Sequence, residues 1–395
     1  MKILVINSGS SSLKFKVYNM PEEKMLCSGL IERIGEKTSR LIYKKEDLEL
    51  IHEESIESHE KGLTIAVRFL MNKEYGVISS AKDIMTVGHR VVHGGRDFFD
   101  TVEIDEKVKF DIERLFSLAP LHNPANLTGI EVAEQLFPHA KQIAVFDTSF
   151  HQTMPEKAYL YALPKDMSEK YAIRNYGFHG TSHKYVSEIA QKMLNKKDSK
   201  IISLHLGNGC SVTAIENGKS LDHSLGFGPA TGLIMGTRSG DIDHSILPFI
   251  SKQYGISIDE IEDILNKKSG MLGLTGKTDM RDIVDAAEQG NKDCQLALSM
   301  NAYRIQKYIG AYTAAMNGLD ALIFTAGIGE NSAYIRNEVC KNMTYLGIEI
   351  DEFKNNRKIV SPVDISNSVS KVRIFVIPTN EELEIAKQSY NTMTN

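Results

Sequence analysis

Small polar residues follow the first apolar run of the chain, and a lysine lies just beyond them. The segment ILVINSGSSSLKFKVYN places Gly9 and four serines between two strand-like runs, with Lys14 after them. Backbone N–H groups converge on phosphate oxygens only where side chains are small, and a lysine adds a point charge. The turn is therefore either a phosphate-binding loop or an exposed hairpin, and in isolation it favours the hairpin.

Two further segments have a similar character. Residues 201–215, IISLHLGNGCSVTAI, repeat the opening layout of strand, small polar turn and second strand. Residues 321–335, ALIFTAGIGENSAYI, place glycines between a buried-type strand and a helix, where a nucleotide can approach the backbone closely. The last segment lacks the third glycine of a dinucleotide fingerprint. The repeated hairpin indicates two related domains and shifts the balance toward phosphate binding.

An arginine and a small apolar residue share one face of the strand-like segment 86–93. The alternation of this segment places Arg90 and Val92 together, opposite His89 and His93. A guanidinium fork beside a short apolar wall suits a small carboxylic acid. A structural ion pair of Arg90 explains the pattern equally well.

Two histidine pairs have the i, i+4 spacing of zinc-binding helices. Neither His89 and His93 nor His179 and His183 enclose the glutamate of that motif. A strand over 86–93 would also hold its two imidazoles too far apart for helical zinc geometry. We therefore predict no zinc site.

Residues 226–243, GFGPATGLIMGTRSGDID, hold five glycines around Arg238. A glycine-rich loop with one fixed guanidinium suits a movable wall over a transferring phosphoryl group. The alternative is a flexible surface loop, which the apolar content of the segment disfavours.

Three other polar residues lie at the ends of predicted elements. Asp147 closes the strand-like run IAVFD, and the carboxyl ends of strands are where α/β sheets bind ligands. His179 precedes a helix that we expect to begin near residue 181, and a helix N-terminus attracts anions. Glu381 follows the run RIFVIP, where a capping box of Thr379 and Glu382 would leave Glu381 available for chemistry.

The elements that position these residues are strand-like and helical segments, which alternate along the chain. This alternation predicts an α/β fold. The chain has 395 residues, more than one hydrophobic core usually serves, so two domains are expected. Strands are predicted over 3–6, 84–92, 143–146, 201–206, 321–326 and 373–377. Helices are predicted over 124–136, 182–194 and 293–317, the last with Leu296, Tyr303, Ile309, Tyr312 and Met316 on its apolar face.

The composition narrows the class of protein. A net charge of −5 argues against nucleic acid as the main ligand. No apolar run is long enough for a membrane span, and the N-terminal run is too short for a signal peptide. The four cysteines are far apart, which favours reduced thiols in a cytoplasmic protein.

With these segments assembled, the sequence resembles the acetate kinase family along its whole length. The stretches that carry the resemblance are NSGSSSLKF, GHRVVHGG, LHNPAN, FDTSFH, RNYGFHGTSH, HLGNG, the Arg238 loop, TDMRD and GIGEN. The resemblance implies two duplicated actin-like, ribonuclease H-like α/β domains with a nucleotide cleft between them. We expect the first domain at 1–147, joined by the C-terminal helix 382–395, and the second at 148–381.

The resemblance also implies roles for individual residues. Asp147, His179, Arg238 and Arg90 would be catalytic, and Arg90, Val92, Leu121, Phe178 and Pro229 would bind acetate. Asn7 and Glu381 would lie near a magnesium ion, with Mn²⁺ as an alternative metal. ATP would contact Ser10, Ser12, Lys14, His205, Leu206, Gly207, Asn208, Gly209, Asp279, Met280, Arg281, Gly327, Ile328, Gly329, Glu330 and Asn331.

The implied reaction is reversible, direct in-line phosphoryl transfer from ATP to acetate, giving ADP and acetyl phosphate, by a homodimer. A propionate or butyrate kinase is one alternative, and an ATP-switched binding protein of the actin or chaperone kind is another. Acetate is already ionised at neutral pH and needs no base. We therefore expect Asp147 to orient Arg90, Arg238 or the water shell of the metal.

Overall fold

The computed structural model describes residues 1–9 and 11–394, and the chain forms two compact units. The first unit comprises Met1–Phe150 with Asn380–Asn395, and the second comprises His151–Thr379. Residues 148–150, Asn380 and Glu381 therefore lie in the first unit, whereas the expected borders put them in the second domain. Among the described residues, no helix is both long and apolar enough to cross a membrane.

Two sheets form the centres of the two units. The strands of the first sheet are β1 (Lys2–Ser8), β2 (Ser12–Asn19), β3 (Lys24–Glu32), β4 (Ser39–Lys45), β5 (Leu48–Glu54), β6 (Ile84–Val91), β7 (Val102–Glu103) and β8 (Lys141–Phe146). Those of the second sheet are β9 (Lys200–Leu206), β10 (Cys210–Glu216), β11 (Lys219–His223), β12 (Ala321–Thr325), β13 (Val363–Asp364) and β14 (Arg373–Val376).

Helices cover and connect the strands. In the first unit they are α1 (His59–Leu70), α2 (Glu106–Arg114), α3 (Asn123–Leu136) and, at the end of the chain, α15 (Glu381–Thr394). In the second unit they are α4 (Glu156–Tyr159), α5 (Lys165–Lys170), α6 (Gly180–Leu194), α7 (Ile246–Tyr254), α8 (Ile258–Lys267), α9 (Gly270–Thr275), α10 (Met280–Glu288), α11 (Lys292–Met316), α12 (Ala326–Asn331), α13 (Ala333–Cys340) and α14 (Glu352–Asn355).

The first sheet has the strand order β5-β4-β3-β2-β1-β6-β8-β7. β1 pairs antiparallel with β2 and parallel with β6, which in turn pairs parallel with β8. Four successive buried residues, Ile3 to Ile6, fill β1, and helices α3 and α15 pack against this strand. A continuous apolar run is typical of a strand that is covered on both faces.

The second sheet has the order β11-β10-β9-β12-β14-β13. β9 pairs antiparallel with β10 and parallel with β12, and β12 pairs parallel with β14. The series β3-β2-β1-β6-β8 in the first sheet thus has the same order and directions as β11-β10-β9-β12-β14 in the second. The repeated hairpin predicted from the sequence marks a duplicated α/β fold.

The predicted strands and helices agree with the observed ones within two residues at either end, but three local predictions are wrong. The GIGEN segment is itself the short helix α12, not a turn before a helix. Helix α15 is capped by Asn380, whose Oδ1 accepts the Leu383 N–H at 3.2 Å, so Thr379 is not its N-cap. The exposed fractions of Leu296 and Tyr303 on α11 are 59% and 63%, so these two residues are not on the buried face.

The capping prediction fails because its residues have other partners. The Thr379 N–H donates to Glu330 Oε1 at 3.0 Å, and its hydroxyl bonds Ser182 Oγ at 2.8 Å. The side chain of Glu382 forms an ion pair with Lys16 at 2.9 Å. Asparagine serves as well as threonine at an N-cap, so the helix begins one residue later.

Candidate active site

Arg90 and Asp147 form an ion pair at the carboxyl ends of two neighbouring parallel strands in the first unit. Arg90 is opposite Val145 in the register of β6 and β8, so Asp147, two residues later, points to the same face of the sheet. Nε and Nη2 of Arg90 donate to Asp147 Oδ2 at 3.0 and 2.5 Å, and Nη1 donates to Asn7 Oδ1 at 3.2 Å. The structural ion pair of Arg90, which the sequence offered as an alternative to carboxylate binding, is therefore present.

Glu381, the first residue of α15, brings a carboxyl to the same cluster. Burial raises the pKa of Glu381 to about 7. The charges of Asp147 and Glu382 also raise this pKa, whereas the charges of Arg90 and Lys14 lower it. Any added positive charge would therefore stabilise the ionised form of the Glu381 carboxyl and lower its pKa.

Asn7 and Glu381 also offer the oxygen donors that a magnesium ion prefers. Mg²⁺ usually binds one or two carboxylates together with substrate phosphates, and it keeps several waters. Within the described residues, no group of three or more His, Cys, Asp or Glu side chains could hold a metal ion by itself. The two residues therefore fit a metal that arrives with the phosphates of a nucleotide.

The turn after β1 is fixed by its own backbone and by helix α3. The Gly9 N–H donates to the Ser12 carbonyl at 2.8 Å. Asn126 on α3 donates from Nδ2 to the Ser8 carbonyl at 2.8 Å, and its Oδ1 accepts the Val92 N–H at 3.0 Å. The buried side-chain amide of Asn126 thus connects the predicted phosphate-binding turn to Val92, which is predicted to contact acetate. Ser10 lies outside the described residues.

The residues expected around the substrate methyl group divide between the two units. Val92 is buried and Leu121 is exposed in the first unit, while Phe178 is buried and Pro229 half-buried in the second. The backbone of Phe178 is held on both sides by buried histidines. His223 Nε2 accepts its N–H at 3.1 Å, and His151 Nε2 lies 2.9 Å from its carbonyl oxygen.

His179 and Arg238 converge in the second unit. His179 is the N-cap residue of α6 and has a left-handed backbone, with φ of 56°. A Cβ atom built on Gly209 would lie 3.6 Å from His179 Nε2 and 3.8 Å from Arg238 Nη1. Arg238 Nη1 also donates to the Pro229 carbonyl at 3.0 Å, and burial lowers the pKa of this guanidinium. His179 Nε2 and Arg238 Nη1 therefore lie near one point above the HLGNG turn.

Many of the residues predicted to bind ATP line one cavity of about 540 Å³ in the second unit. This volume is in the range of pockets for small molecules and cofactors. The predicted residues that line it are Leu206, Gly207, Asn208, Asp279, Met280, Arg281, Gly327, Ile328 and Asn331. Sequence reasoning missed Ile234, Met235, Met271, Val284, Asn301 and Tyr334, which also line it. Apolar residues of helices and loops give no signal that separates a cavity wall from the core.

The other predicted nucleotide residues lie outside the cavity lining. His205 stacks on His179, with ring centroids 4.2 Å apart, and Glu330 accepts the Thr379 N–H. The Gly329 carbonyl accepts from the buried guanidinium of Arg336 at 2.9 Å. Ser12 and Lys14 belong to the first unit, where Lys14 is exposed.

Comparison with known proteins gives a uniform result. The model of the acetokinase family matches residues 2–387. The chain is 54% identical to an acetate kinase of Flavobacterium johnsoniae over 395 residues, which is 100% of both chains. The solved structure of Porphyromonas gingivalis acetate kinase superposes with a TM-score of 0.95 at 44% identity, covering 100% of both chains. A propionate kinase from Francisella tularensis superposes with a TM-score of 0.93 at 43% identity, covering 99% of both.

Proposed function

The chain belongs to the acetokinase family, and from this premise we propose that it transfers a phosphoryl group reversibly between ATP and acetate. ATP and ADP are its co-substrates, and acetyl phosphate is the other product. The observation that carries the proposal is the Arg90–Asp147 ion pair, with the buried Val92 two residues after Arg90 in the chain. A guanidinium held in place near a small apolar residue suits a short carboxylate.

Arg90 binds the acetate carboxylate, and Asp147 holds the guanidinium in place for it. The two hydrogen bonds from Arg90 to Asp147 use Nε and Nη2, while Nη1 donates to Asn7 Oδ1. Acetate reaches the site already ionised, so its nucleophilic oxygen needs no general base. The residues that we propose for binding the methyl group are Val92 and Leu121 of the first unit and Phe178 and Pro229 of the second.

His179 and Arg238 stabilise the transition state. In phosphoryl transfer, negative charge spreads over three equatorial oxygens, and catalysis consists mainly of positioning and charge stabilisation. The point near Gly209 where His179 Nε2 and Arg238 Nη1 converge is suited to such an oxygen. An arginine in this role is worth roughly 10³–10⁵ in rate in related reactions.

The nucleotide occupies the cavity of the second unit, with the phosphates toward the HLGNG turn. Asn7 and Glu381 would hold a magnesium ion, and Mn²⁺ is the alternative. When bound, this cation neutralises charge on the phosphates. Ser12 and Lys14, at the start of β2, would donate to phosphate oxygens, and Ser10 is a further proposed phosphate contact.

We propose acetate as the preferred acceptor, with propionate as a slower one. Val92 narrows the predicted pocket, but one methylene group changes binding by only about 1–3 kcal/mol. The ratio of kcat/KM for acetate and propionate tests this choice. A clear preference for propionate would assign the chain to the second activity, which the likeness to a propionate kinase structure favours.

We also propose a cytoplasmic homodimer. The four cysteines are free and buried, as expected in a reducing compartment. The second unit exposes large apolar side chains on α7, α8 and α11 and near α5, namely Phe249, Tyr254, Ile258, Leu296, Tyr303, Leu163 and Tyr171. A contiguous patch made of such side chains would be typical of an interface. Light scattering of the purified protein at micromolar concentration tests the dimer, and a monomeric mass would contradict it.

ADP formation measured with and without acetate separates the kinase from an ATP-switched binding protein. A kinase forms ADP only when a carboxylate is present, whereas an ATP-switched protein hydrolyses ATP at the same rate without it. Equal rates in the two conditions would refute the proposed function.

A further inference from the structure

A chain of buried hydroxyl and imidazole groups runs from the second sheet to His179. Ser211 Oγ lies 2.9 Å from His179 Nδ1 and 2.8 Å from His183 Nε2. Nδ1 of His183 lies 2.9 Å from Ser203 Oγ. Ser203, His183 and Ser211 are all fully buried, and His183 lies one helical turn after His179 on α6.

Ser203, the last group of this hydrogen-bonded series, determines the direction of all its hydrogen bonds. Within residues 1–9 and 11–394, the Ser203 hydroxyl has a single hydrogen-bond partner, His183 Nδ1. A buried O–H without an acceptor is costly, so Ser203 donates its proton to His183 Nδ1. Burial lowers the pKa of His183 well below its ordinary value, so the ring is neutral and carries its one proton on Nε2.

The remaining links follow from this assignment. The His183 Nε2–H donates to Ser211 Oγ, and the Ser211 hydroxyl then has its own proton for His179 Nδ1. A neutral His179 that accepts at Nδ1 must carry its proton on Nε2. Nε2 is the atom that lies with Arg238 Nη1 around the point above Gly209.

We propose that Ser211 and His183 are positioning residues that hold His179 in the Nε2–H tautomer, ready to donate to the transferring phosphoryl group. The proposal rests on the proposed function for the role of that donor, but the tautomer itself is a property of the free protein. The spacing of His179 and His183, which resembles a zinc motif, is thereby explained by hydrogen bonding through Ser211.

The same chain disfavours a doubly protonated His179. An imidazolium would donate from Nδ1 to Ser211 Oγ, which already accepts from His183, and the Ser211 proton would then lose its acceptor. The backbone beside His179 is fixed as well, since His223 and His151 bind both peptide groups of Phe178. The ring therefore has a defined position and a defined proton.

Nitrogen-15 NMR of the histidine side chains in the purified full-length protein at pH 7.5 tests the tautomer directly. The His179 signals are assigned by their loss in His179→Ala. We expect Nδ1 to be unprotonated and Nε2 to be protonated, and we expect Ser211→Ala to give a mixture of tautomers. A protonated Nδ1 in the wild type, or an unchanged spectrum in Ser211→Ala, would overturn the proposal.

Kinetics of the same variants test the consequence. Ser211→Ala should lower kcat about 10-fold, less than removal of a whole transition-state donor, with little change in the KM for ATP or acetate. Ser211→Thr keeps the hydroxyl and should restore most of kcat. Ser187→Ala is the matched control, because within the described part of the chain this buried hydroxyl on α6 donates to the Lys184 carbonyl alone. Equal losses of kcat in Ser211→Thr and Ser211→Ala would contradict the proposal.

Ser203→Ala provides a second variant if Ser211→Ala does not fold, as judged by circular dichroism. It frees His183 to change tautomer, so we expect the Nε2–H population of His179 to fall, and an unchanged His179 spectrum would contradict the proposal. Failure of the proposed function is recognised separately. A wild type with the Nε2–H tautomer but without acetate-dependent turnover would refute the kinase activity and leave the hydrogen-bonded chain intact.

Discussion

Asp147 positions the guanidinium of Arg90, and a substitution of this single residue tests that role. The buried carboxylate accepts from both Nε and Nη2 of Arg90. Asp147→Asn removes the charge, so an amide oxygen in the place of Oδ2 accepts from Nε and Nη2 more weakly than the carboxylate does. Since loss of one partner of a buried ion pair costs about 3–5 kcal/mol, we expect kcat/KM for acetate to fall at least 10²-fold.

The pH–rate profile decides between orientation and acid–base catalysis by Asp147. An orienting residue leaves both limbs of the profile in Asp147→Asn, at a lower rate. Disappearance of one limb would show acid–base duty instead. The exposed Asp198→Asn is the control for the charge change and should behave like the wild type.

A substitution of Gly209 gives a second prediction for a single residue. An alanine methyl group at this position would meet His179 and Arg238 only at ordinary contact distances of 3.6 and 3.8 Å. Gly209→Ala should therefore fold with an unchanged melting temperature. It should nevertheless lower kcat about 10²-fold, because the methyl group occupies the point where the two donors converge.

Gly310→Ala on α11 is the control for Gly209→Ala, since among the described residues no atom outside its own stretch of helix lies within 4 Å of the added Cβ. A Gly209→Ala protein with wild-type kcat would show that the phosphoryl group does not occupy this point. A large loss of melting temperature would show that the contacts of Gly209 are structural.

At the scale of the element, helix α3 links two parts of the predicted site. Asn126 donates to the Ser8 carbonyl and accepts the Val92 N–H. Asn126→Ala leaves both buried backbone groups without these partners, at a cost of about 1–3 kcal/mol for each group. We expect lower stability together with higher KM values for both ATP and acetate.

Denaturant unfolding and steady-state kinetics check this prediction. Thr128→Ala on the exposed face of α3 is the matched control, since its hydroxyl donates to the Pro124 carbonyl and to no other described residue. If Asn126→Ala changed stability but neither KM, the amide would support the fold without coupling the two parts of the site.

The sequence predicted the elements that carry continuous apolar runs, and it missed what tertiary contacts decide. Strands such as β1 and β9 are visible because all of their central residues are buried. The helical conformation of GIGEN depends on the buried Arg336, which binds the Gly329 and Glu330 carbonyls from α13. That contact has no local signal in the sequence.

The same limit applies to the candidate site. Single polar residues at strand ends, such as Asp147, could be predicted because their position in an α/β fold is informative. The sequence left the partner of Asp147 open between Arg90, Arg238 and the water shell of a metal, because residue types alone do not show which of these lies nearest. Ser211 was not singled out, since a serine inside a strand shows its importance only when both histidines beside it are seen.

At the scale of the whole molecule, buried histidines predict sensitivity to acid. Burial lowers the pKa of His89 and His93 from 6.5 to about 4, and it lowers the pKa of His183 and His223 well below 6.5. Below pH 6.5 the unfolded chain therefore binds more protons than the folded one, so the free energy of unfolding falls as the pH falls. At pH 5 the loss is about 2 kcal/mol for each histidine.

Urea unfolding at pH 7.5 and pH 5.0 measures this loss as a decrease in the midpoint. His89→Gln removes one titrating group and keeps an amide N–H for Gln142, which His89 contacts at 2.8 Å. We expect a smaller difference between the two midpoints in this variant. A midpoint that does not depend on pH in the wild type would refute the assignment of neutral, buried histidines.

The central feature of the proposed function is the transfer of the phosphoryl group to acetate itself. Trapping with hydroxylamine converts acetyl phosphate to a coloured hydroxamate, which can be counted against ADP in the same sample. With ATP, Mg²⁺ and acetate, we predict one hydroxamate for each ADP, and Arg90→Ala should lose both products together. ADP that accumulates without hydroxamate would contradict the account, because the phosphoryl group would then have gone to water.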